Sequence, residues 1–328
     1  MKNRQRTVTM KEVAEEAGVS RMVVSSVLNN KRMGNIGFSE ATRQSVLKAV
    51  ETLGYRLNRA ALSMRGKGNG VIGVLVPSMN AIPGRVLEFL IKLSSLYDKV
   101  IEIELLEDGK RPKMTTEDAV DAVLVFESLP AEIQAYIDKI ELALVQVNTN
   151  QRYATGCITF DEEGGVSLAV ERLKNNNRKN IAYLQLPETD HYSYESRMNG
   201  FRTGMESNEW ISSSIVSLSS NSDREDDISQ FLESTPNTDA CILQSSSLAP
   251  AFYRAAARAG REISKDLDVI AFDDGPIWLG CQPSLTALYV NPVQLARTIY
   301  AIVTGLLGDI GELPSLSTSY SLYERESG

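Results

Sequence analysis

The chain contains a single histidine, His191, in 328 residues. A lone imidazole cannot assemble a zinc site without partners, so no metal is expected. The three cysteines, Cys157, Cys241 and Cys281, are far apart and odd in number. They suit a reducing, cytoplasmic setting better than a disulfide framework. No run of 18 apolar residues is present to span a bilayer. The opening MKNRQRT leads into no apolar stretch of the secretory type. The glycines of DEEGGV, residues 161–166, lack the G-x-x-x-x-G-K-[ST] form of a phosphate loop. Neither a nucleophile elbow nor a paired-carboxylate motif occurs, so neither an enzyme nor a cofactor is expected.

Acidic residues outnumber basic ones, and the formal net charge is −8. The balance is uneven along the chain. Residues 1–69 carry 13 Lys and Arg against 5 Asp and Glu, whereas residues 70–328 carry 21 against 37. A small basic head on a large acidic body is the electrostatic pattern of a nucleic-acid-reading module joined to something else.

The head's central stretch is TMKEVAEEAGVSRMVVSSVLN, residues 9–29. Thr9 and Glu12 have capping-box spacing, so a helix should begin at Met10. Gly18 stands where a helix end needs positive φ. Val19 can then plug the angle, and Ser20 is a good cap for a second helix from Arg21 to about Leu28. Val23, Val24, Val27 and Leu28 are expected to face inward, with Arg21, Met22, Ser25, Ser26 and Asn29 outside. Ser39 should cap a third helix over 40–53, with Val46, Leu47, Val50 and Leu53 on one face and Gly54 closing it. This is the layout of a helix-turn-helix, whose second helix reads the major groove. An ordinary helical hairpin in a core is the alternative for the first stretch alone.

The body alternates strand-like and helix-like segments. Strands are expected at 71–76, 100–106, 122–126, 143–148, 157–160, 180–186, 214–218, 241–245 and 267–273. Helices are expected over 84–96, from 162 to about 175, from about 195, and over 223–234 and 248–259. Such alternation implies parallel sheets with helices on both faces. The strands are too many for one small sheet, which favours two doubly wound lobes with a ligand cleft at the strands' carboxyl ends.

Taken together, Thr9, EVAEEAGVS, VVSSVLN, FSEATRQSV, LGYRLN and AALSMR resemble, in order and spacing, the N-terminal pattern of the lactose/galactose repressor (LacI/GalR) family of bacterial transcription regulators. The resemblance continues more weakly in DEEGG (161–165), SRMNGF (196–201), FDD (272–274), PSLTAL (283–288) and LYERES (322–327). It implies an all-α helix-turn-helix head (1–57), a hinge helix and linker (58–69), and an α/β effector-binding and dimerisation body (70–328). The body would hold two doubly wound parallel-sheet lobes of the periplasmic-binding-protein type. The N-lobe would take about 70–159 and 292–316, and the C-lobe about 160–291 and 317–328. The expected function is a repressor whose affinity for double-stranded operator DNA is modulated by a small, sugar-like effector. Without terminal leucine heptads, a homodimer is expected. A solute-binding protein with no DNA role is the alternative.

By this resemblance the DNA contacts fall at Thr9, Met10, Ser20, Arg21, Met22, Ser25, Ser26, Asn29, Thr42, Tyr55, Asn58, Ala61 and Met64. Met64 stands where the family wedges a leucine into the minor groove. Effector contacts are expected at Asn80, Asp161, His191, Ser193, Arg197, Ser245, Asp273 and Trp278. Arg197 and Asp273 together could grip adjacent hydroxyls. A surface ion pair for Arg197, a helix cap for Asp273, a loop or pocket-wall place for His191 and a packing place for Trp278 are the structural alternatives.

The departures also matter. Ser245 and Ser246 replace the family's Asn-Asp, Ser26 replaces a base-reading arginine, and Leu57 replaces a proline. The stretch 106–122 is about ten residues short, leaving little room for the N-lobe's second helix. These changes suggest an effector less rich in hydroxyls than a free sugar, or one with an anionic group opposite Arg197.

Overall fold

The helical head is closed by small apolar residues rather than aromatics. In the computed structural model, helix α1 (Met10–Ala17) starts at the expected capping box: the Glu12 amide donates to Thr9 Oγ1 at 3.3 Å, and the Thr9 amide donates to Glu12 Oε2 at 2.8 Å. Gly18 ends it with φ of +65°, a conformation that favours glycine. The amide of Val23 donates to Ser20 Oγ as α2 (Arg21–Leu28) begins. Helix α3 (Glu40–Leu53) is capped by Ser39 and ends at Gly54, also left-handed. Val13, Ala14, Val24, Val27, Val46 and Ala49 form the core, with Val19 and Tyr55 packed against it.

Two expectations for the head are corrected. Ser26 is fully buried. On a helical wheel Ser25 and Ser26 flank the Val24–Val27 stripe on opposite sides, and periodicity does not say which flank is covered. Leu47 is 39% exposed, and Ala49 takes the inward place beside Val46. A tight helix–helix approach favours the smaller side chain.

The structure describes residues 8–28, 38–55, 70–76, 84–97, 99–107, 110–116, 119–126, 129–140, 142–149, 156–187, 191–206, 212–219, 224–306 and 316–328. The hinge segment and the expected contacts Asn29, Asn58, Ala61, Met64 and Asn80 lie outside these residues. Two compact units emerge, Met1–Asn69 and Gly70–Gly328.

The second unit is built on two six-stranded sheets. Its first part contains β1 (Val71–Val76), α4 (Gly84–Leu96), β2 (Val100–Leu105), α5 (Lys113–Thr116), β3 (Ala122–Phe126), α6 (Ala131–Lys139), β4 (Ala143–Val147) and β5 (Gly156–Phe160). Then come α7 (Glu162–Asn175), β6 (Asn180–Gln185), α8 (Tyr192–Glu206), β7 (Ser212–Ser217), α9 (Arg224–Ser234), β8 (Ala240–Leu243), α10 (Ala249–Arg258), β9 (Asp268–Phe272) and β10 (Thr286–Tyr289). The chain closes with α11 (Pro292–Leu306), β11 (Leu316–Thr318) and β12 (Ser321–Tyr323).

The N-lobe sheet runs β11-β5-β4-β3-β1-β2 and the C-lobe sheet β12-β10-β9-β8-β6-β7. Among their pairings only β10 with β12 is antiparallel. Strands β1, β3, β8 and β9 are buried along their whole length, as parallel strands covered on both faces must be. The chain passes between lobes after β5, after β10 and between β11 and β12. At one of these passages the Asp161 amide donates to the Thr318 carbonyl at 2.9 Å.

Helix α6 was not anticipated, and α8 begins at Tyr192 rather than near Glu195. The short segment before β3 leaves room only for the single turn α5. Among the described residues no helix is long and apolar enough to cross a membrane.

Candidate functional sites

On the head, Arg21 and Met22 project outward from the first turn of α2, with Met22 62% exposed. Ser20 and Thr9 are exposed beside them, while Met10, Ser25 and Thr42 are half-buried. Thr42 is engaged by its own helix start: its amide donates to Ser39 Oγ, and the two hydroxyls lie 2.9 Å apart. Burial pushes the Tyr55 phenol above its usual range. An arginine in the first turn of a second helix can present paired donors of the kind that match a guanine edge.

In the second unit a cavity of about 620 Å³ lies between the lobes. This volume is within the usual range for small-molecule sites. The N-lobe contributes Gly84, Arg85, Val86 and Glu88 from the start of α4, Asn148 after β4, and Pro292 and Leu295 of α11. The C-lobe contributes Ser245–Ser247, Asp273–Gly275, Trp278, Tyr289 and Tyr320. The lining residues therefore include three of the expected contacts, Ser245, Asp273 and Trp278. Asp273 sits just past β9 with φ of +72°, its amide donating to the Leu288 carbonyl at 3.0 Å. Its side chain is exposed to the cavity. A left-handed residue at a strand end turns the chain sharply and presents its side chain at the sheet's edge.

The other four described expectations do not line the cavity. Asp161 caps α7, accepting from the Gly164 amide at 3.0 Å. His191 and Ser193 join the lobes instead. The His191 Nε2 lies 2.8 Å from the Asn148 carbonyl, and its Nδ1 lies 2.6 Å from Ser193 Oγ. A carbonyl can only accept, so Nε2 carries the proton and Nδ1 is the acceptor. The neighbouring Tyr192 hydroxyl donates to Asn148 Oδ1 at 3.1 Å and accepts from the Phe160 amide at 2.9 Å. Asn148, itself at φ +63°, is thus the N-lobe half of a clasp that the sequence did not disclose.

Arg197 is buried rather than presented to the cavity. Its Nε donates to Glu162 Oε2 at 2.6 Å, Nη1 to the Gln244 carbonyl at 2.6 Å, and Nη2 to the Tyr320 hydroxyl at 3.0 Å. The guanidinium lies over the Phe272 ring at 3.9 Å. Burial works against its charge, but Tyr320, Glu162 and Asp273 hold it well above its ordinary pKa. Burial lifts the Glu162 carboxyl above the usual range, with Arg197 opposing that shift. Glu162 is 2% exposed, a burial that would be prohibitive for its carboxylate without the arginine. Sequence reasoning passed over Glu162 because it occupies a variable position of the D-x-x-G-G pattern.

The glycines of the same motifs serve packing. A Cβ on Gly200 would lie 2.9 Å from Glu163 Cα, and one on Gly165 would lie 2.8 Å from the Tyr320 ring. These two glycines let α7 approach α8 and Tyr320, which fixes where Arg197 and Tyr320 meet.

Residues 9–58 match the family described as bacterial regulatory proteins, lacI family, and residues 170–328 match a periplasmic binding protein-like domain. The HTH-type transcriptional regulator RegA of Clostridium saccharobutylicum is 26% identical over 97% of this chain and 98% of its own. The ribose operon repressor of Halalkalibacterium halodurans is 26% identical over 85% of this chain and 84% of its own. In fold, the chain resembles the lac repressor dimer bound to operator and the anti-inducer ONPF, with TM-score 0.72 and 21% identity over 98% of this chain and 99% of that one. It also resembles the complex of the transcriptional regulator CelR with cellobiose, with TM-score 0.66 and 22% identity over 98% of this chain and 100% of that one. The chain thus carries a head of the lacI family of bacterial regulatory proteins ahead of a periplasmic-binding-protein-like domain.

Proposed function

We propose that the protein is a cytoplasmic, homodimeric repressor that binds operator DNA through its head and releases or tightens that grip when a small ligand enters the cleft. The observation that carries this reading is the pairing of a lacI-type head with a ligand-sized cavity between two lobes. A solute-binding protein has no use for such a head, and the relatives named above are transcriptional regulators or repressors by name. Switching requires the ligand to favour one lobe arrangement, since equal affinity for both shifts nothing. A gel shift on DNA upstream of its own gene, run over a range of salt, tests the reading. Sequence-independent binding at every salt concentration would overturn it.

Arg21 is the proposed principal base reader, with Met22 beside it. Thr9, Met10, Ser20, Ser25, Thr42 and Tyr55 are proposed to support contact with the duplex. The burial of Ser26 removes it from direct readout. Arg21→Ala should weaken operator binding by about 1–3 kcal/mol and relax preference at one base pair. An equal loss on random DNA would show that Arg21 touches phosphate alone.

The dimer reading is supported by exposed apolar side chains in the body. Helix α4 and the adjoining β2 expose Ile91, Leu96 and Leu105, and Tyr97 follows α4. The turn after β9 exposes Ile277 at 71% and Leu279 at 61%. These exposed apolar side chains are the proposed contacts with a partner subunit. Ile277→Asp together with Leu96→Glu should convert the protein to a monomer in light scattering and abolish tight operator binding, because a two-fold site needs two heads. A variant that stays dimeric would exclude these side chains from the interface.

A further inference from the structure

We infer that Met22 reads the methyl group of a thymine, so that each operator half-site holds a thymine near the guanine taken by Arg21. This rests on the DNA-binding reading and adds the chemistry by which the head chooses its site. A single apolar side chain in water is ordinary; the place of this one carries the inference. Among the described residues of the head, Met22 is the most exposed large apolar side chain, at 62% against 39% for Leu47. It stands in the first turn of α2, next to the exposed Arg21.

The polar side chains around it are taken up within the head. The Thr9 hydroxyl donates to Glu12 Oε2 at 2.8 Å and accepts from the Glu12 amide at 3.3 Å. Ser20 Oγ accepts from the Val23 amide at 3.3 Å, and Thr42 Oγ1 lies 2.9 Å from Ser39 Oγ. Met10 and Tyr55 pack on the head's core, and Ser26 is fully buried. At the start of α2 this leaves a fork of N–H donors and a thioether chain reaching outward. The fork matches guanine O6 and N7. A methionine has only a weakly accepting sulfur and no donor, so it tells base pairs apart by shape and apolar contact. The C5 methyl of thymine is the one apolar group that base pairs present in the major groove. An unbranched chain with three rotatable bonds can settle against it.

In vitro selection from random duplex DNA with the full-length protein, followed by uracil scanning of the enriched site, tests the inference. Replacing thymine by uracil deletes the methyl alone and leaves pairing and every phosphate in place, so the salt-dependent contacts are unchanged. At one thymine per half-site the replacement should weaken binding by about threefold to tenfold, which burial of one methyl can supply. Met22→Ala should bind the thymine duplex as weakly as the unaltered protein binds the uracil duplex, and should no longer distinguish the two. The side chain lies mostly in water, so the variant should keep its fold, checked by circular dichroism and by unchanged binding to random DNA at low salt. The inference is overturned if no uracil replacement matters, if Met22→Ala still distinguishes thymine from uracil, or if it weakens both duplexes equally. The DNA-binding reading fails separately, if selection enriches no sequence at all.

Discussion

Arg197→Met is expected to lower the unfolding free energy of the body by about 3–5 kcal/mol, since it strands a buried carboxylate without its partner. Glu162 is 2% exposed and its nearest cation is the Arg197 guanidinium. Once the guanidinium is gone, the carboxyl must either take up a proton or draw in water. The Gln244 carbonyl loses a donor at the same time. The double variant Glu162→Leu with Arg197→Met should recover most of the loss, because well-packed apolar groups replace a buried pair at little net cost. Urea unfolding of the two single variants and the double variant measures the coupling directly. Equal midpoints for wild type and Arg197→Met would mean that the pair is not buried in solution.

Phe272→Ala should cost a similar amount, about 3–5 kcal/mol, through the lost burial and the space left behind. Phe272 is fully buried at the end of β9. Its ring carries the Arg197 guanidinium at 3.9 Å and meets the Tyr320 ring edge-on at 5.2 Å. Removing it takes away the floor on which the arginine rests, so its effect and that of Arg197→Met should be far from additive. Phe272→Leu, which conserves most of the volume, should cost less than about 1.5 kcal/mol. A Leu variant as unstable as the Ala variant would show that the flat ring, rather than the filled space, is what the site needs.

The head was legible in the sequence because its boundaries are written in side chains that bond their own backbone: Thr9 with Glu12, Ser39, and two left-handed glycines. What could not be read there was which flank of α2 the other helices cover, hence Ser26. The strands of the body were plain as apolar runs. Helix α6 was missed for a local reason. Pro130 stands at its N-cap and makes no side-chain capping bond, so the nine-residue stretch lacks a capping side chain and is marked only by Glu132 in its first turn. At the cleft, Asp273 and Trp278 line the cavity; the likeness of FDD to a family motif pointed to the first, and the second lies just past it. The pairing of Arg197 with Glu162 depends on how closely α7 and α8 approach. That distance is fixed by Gly200 against Glu163, which one-dimensional patterns do not carry.

The route of the chain between the lobes has a genetic consequence. Neither lobe is a contiguous stretch: the N-lobe sheet draws its edge strand β11 from 316–318, and its core draws Leu295, Ala296, Ile299 and Val303 from α11. A stop codon shortly after residue 291 would therefore strip the first lobe of a helix and a strand while sparing most of the second. Late nonsense and frameshift alleles should disable the protein by unravelling the part translated first. A gene fragment ending at residue 160 cannot serve as a stand-alone N-lobe.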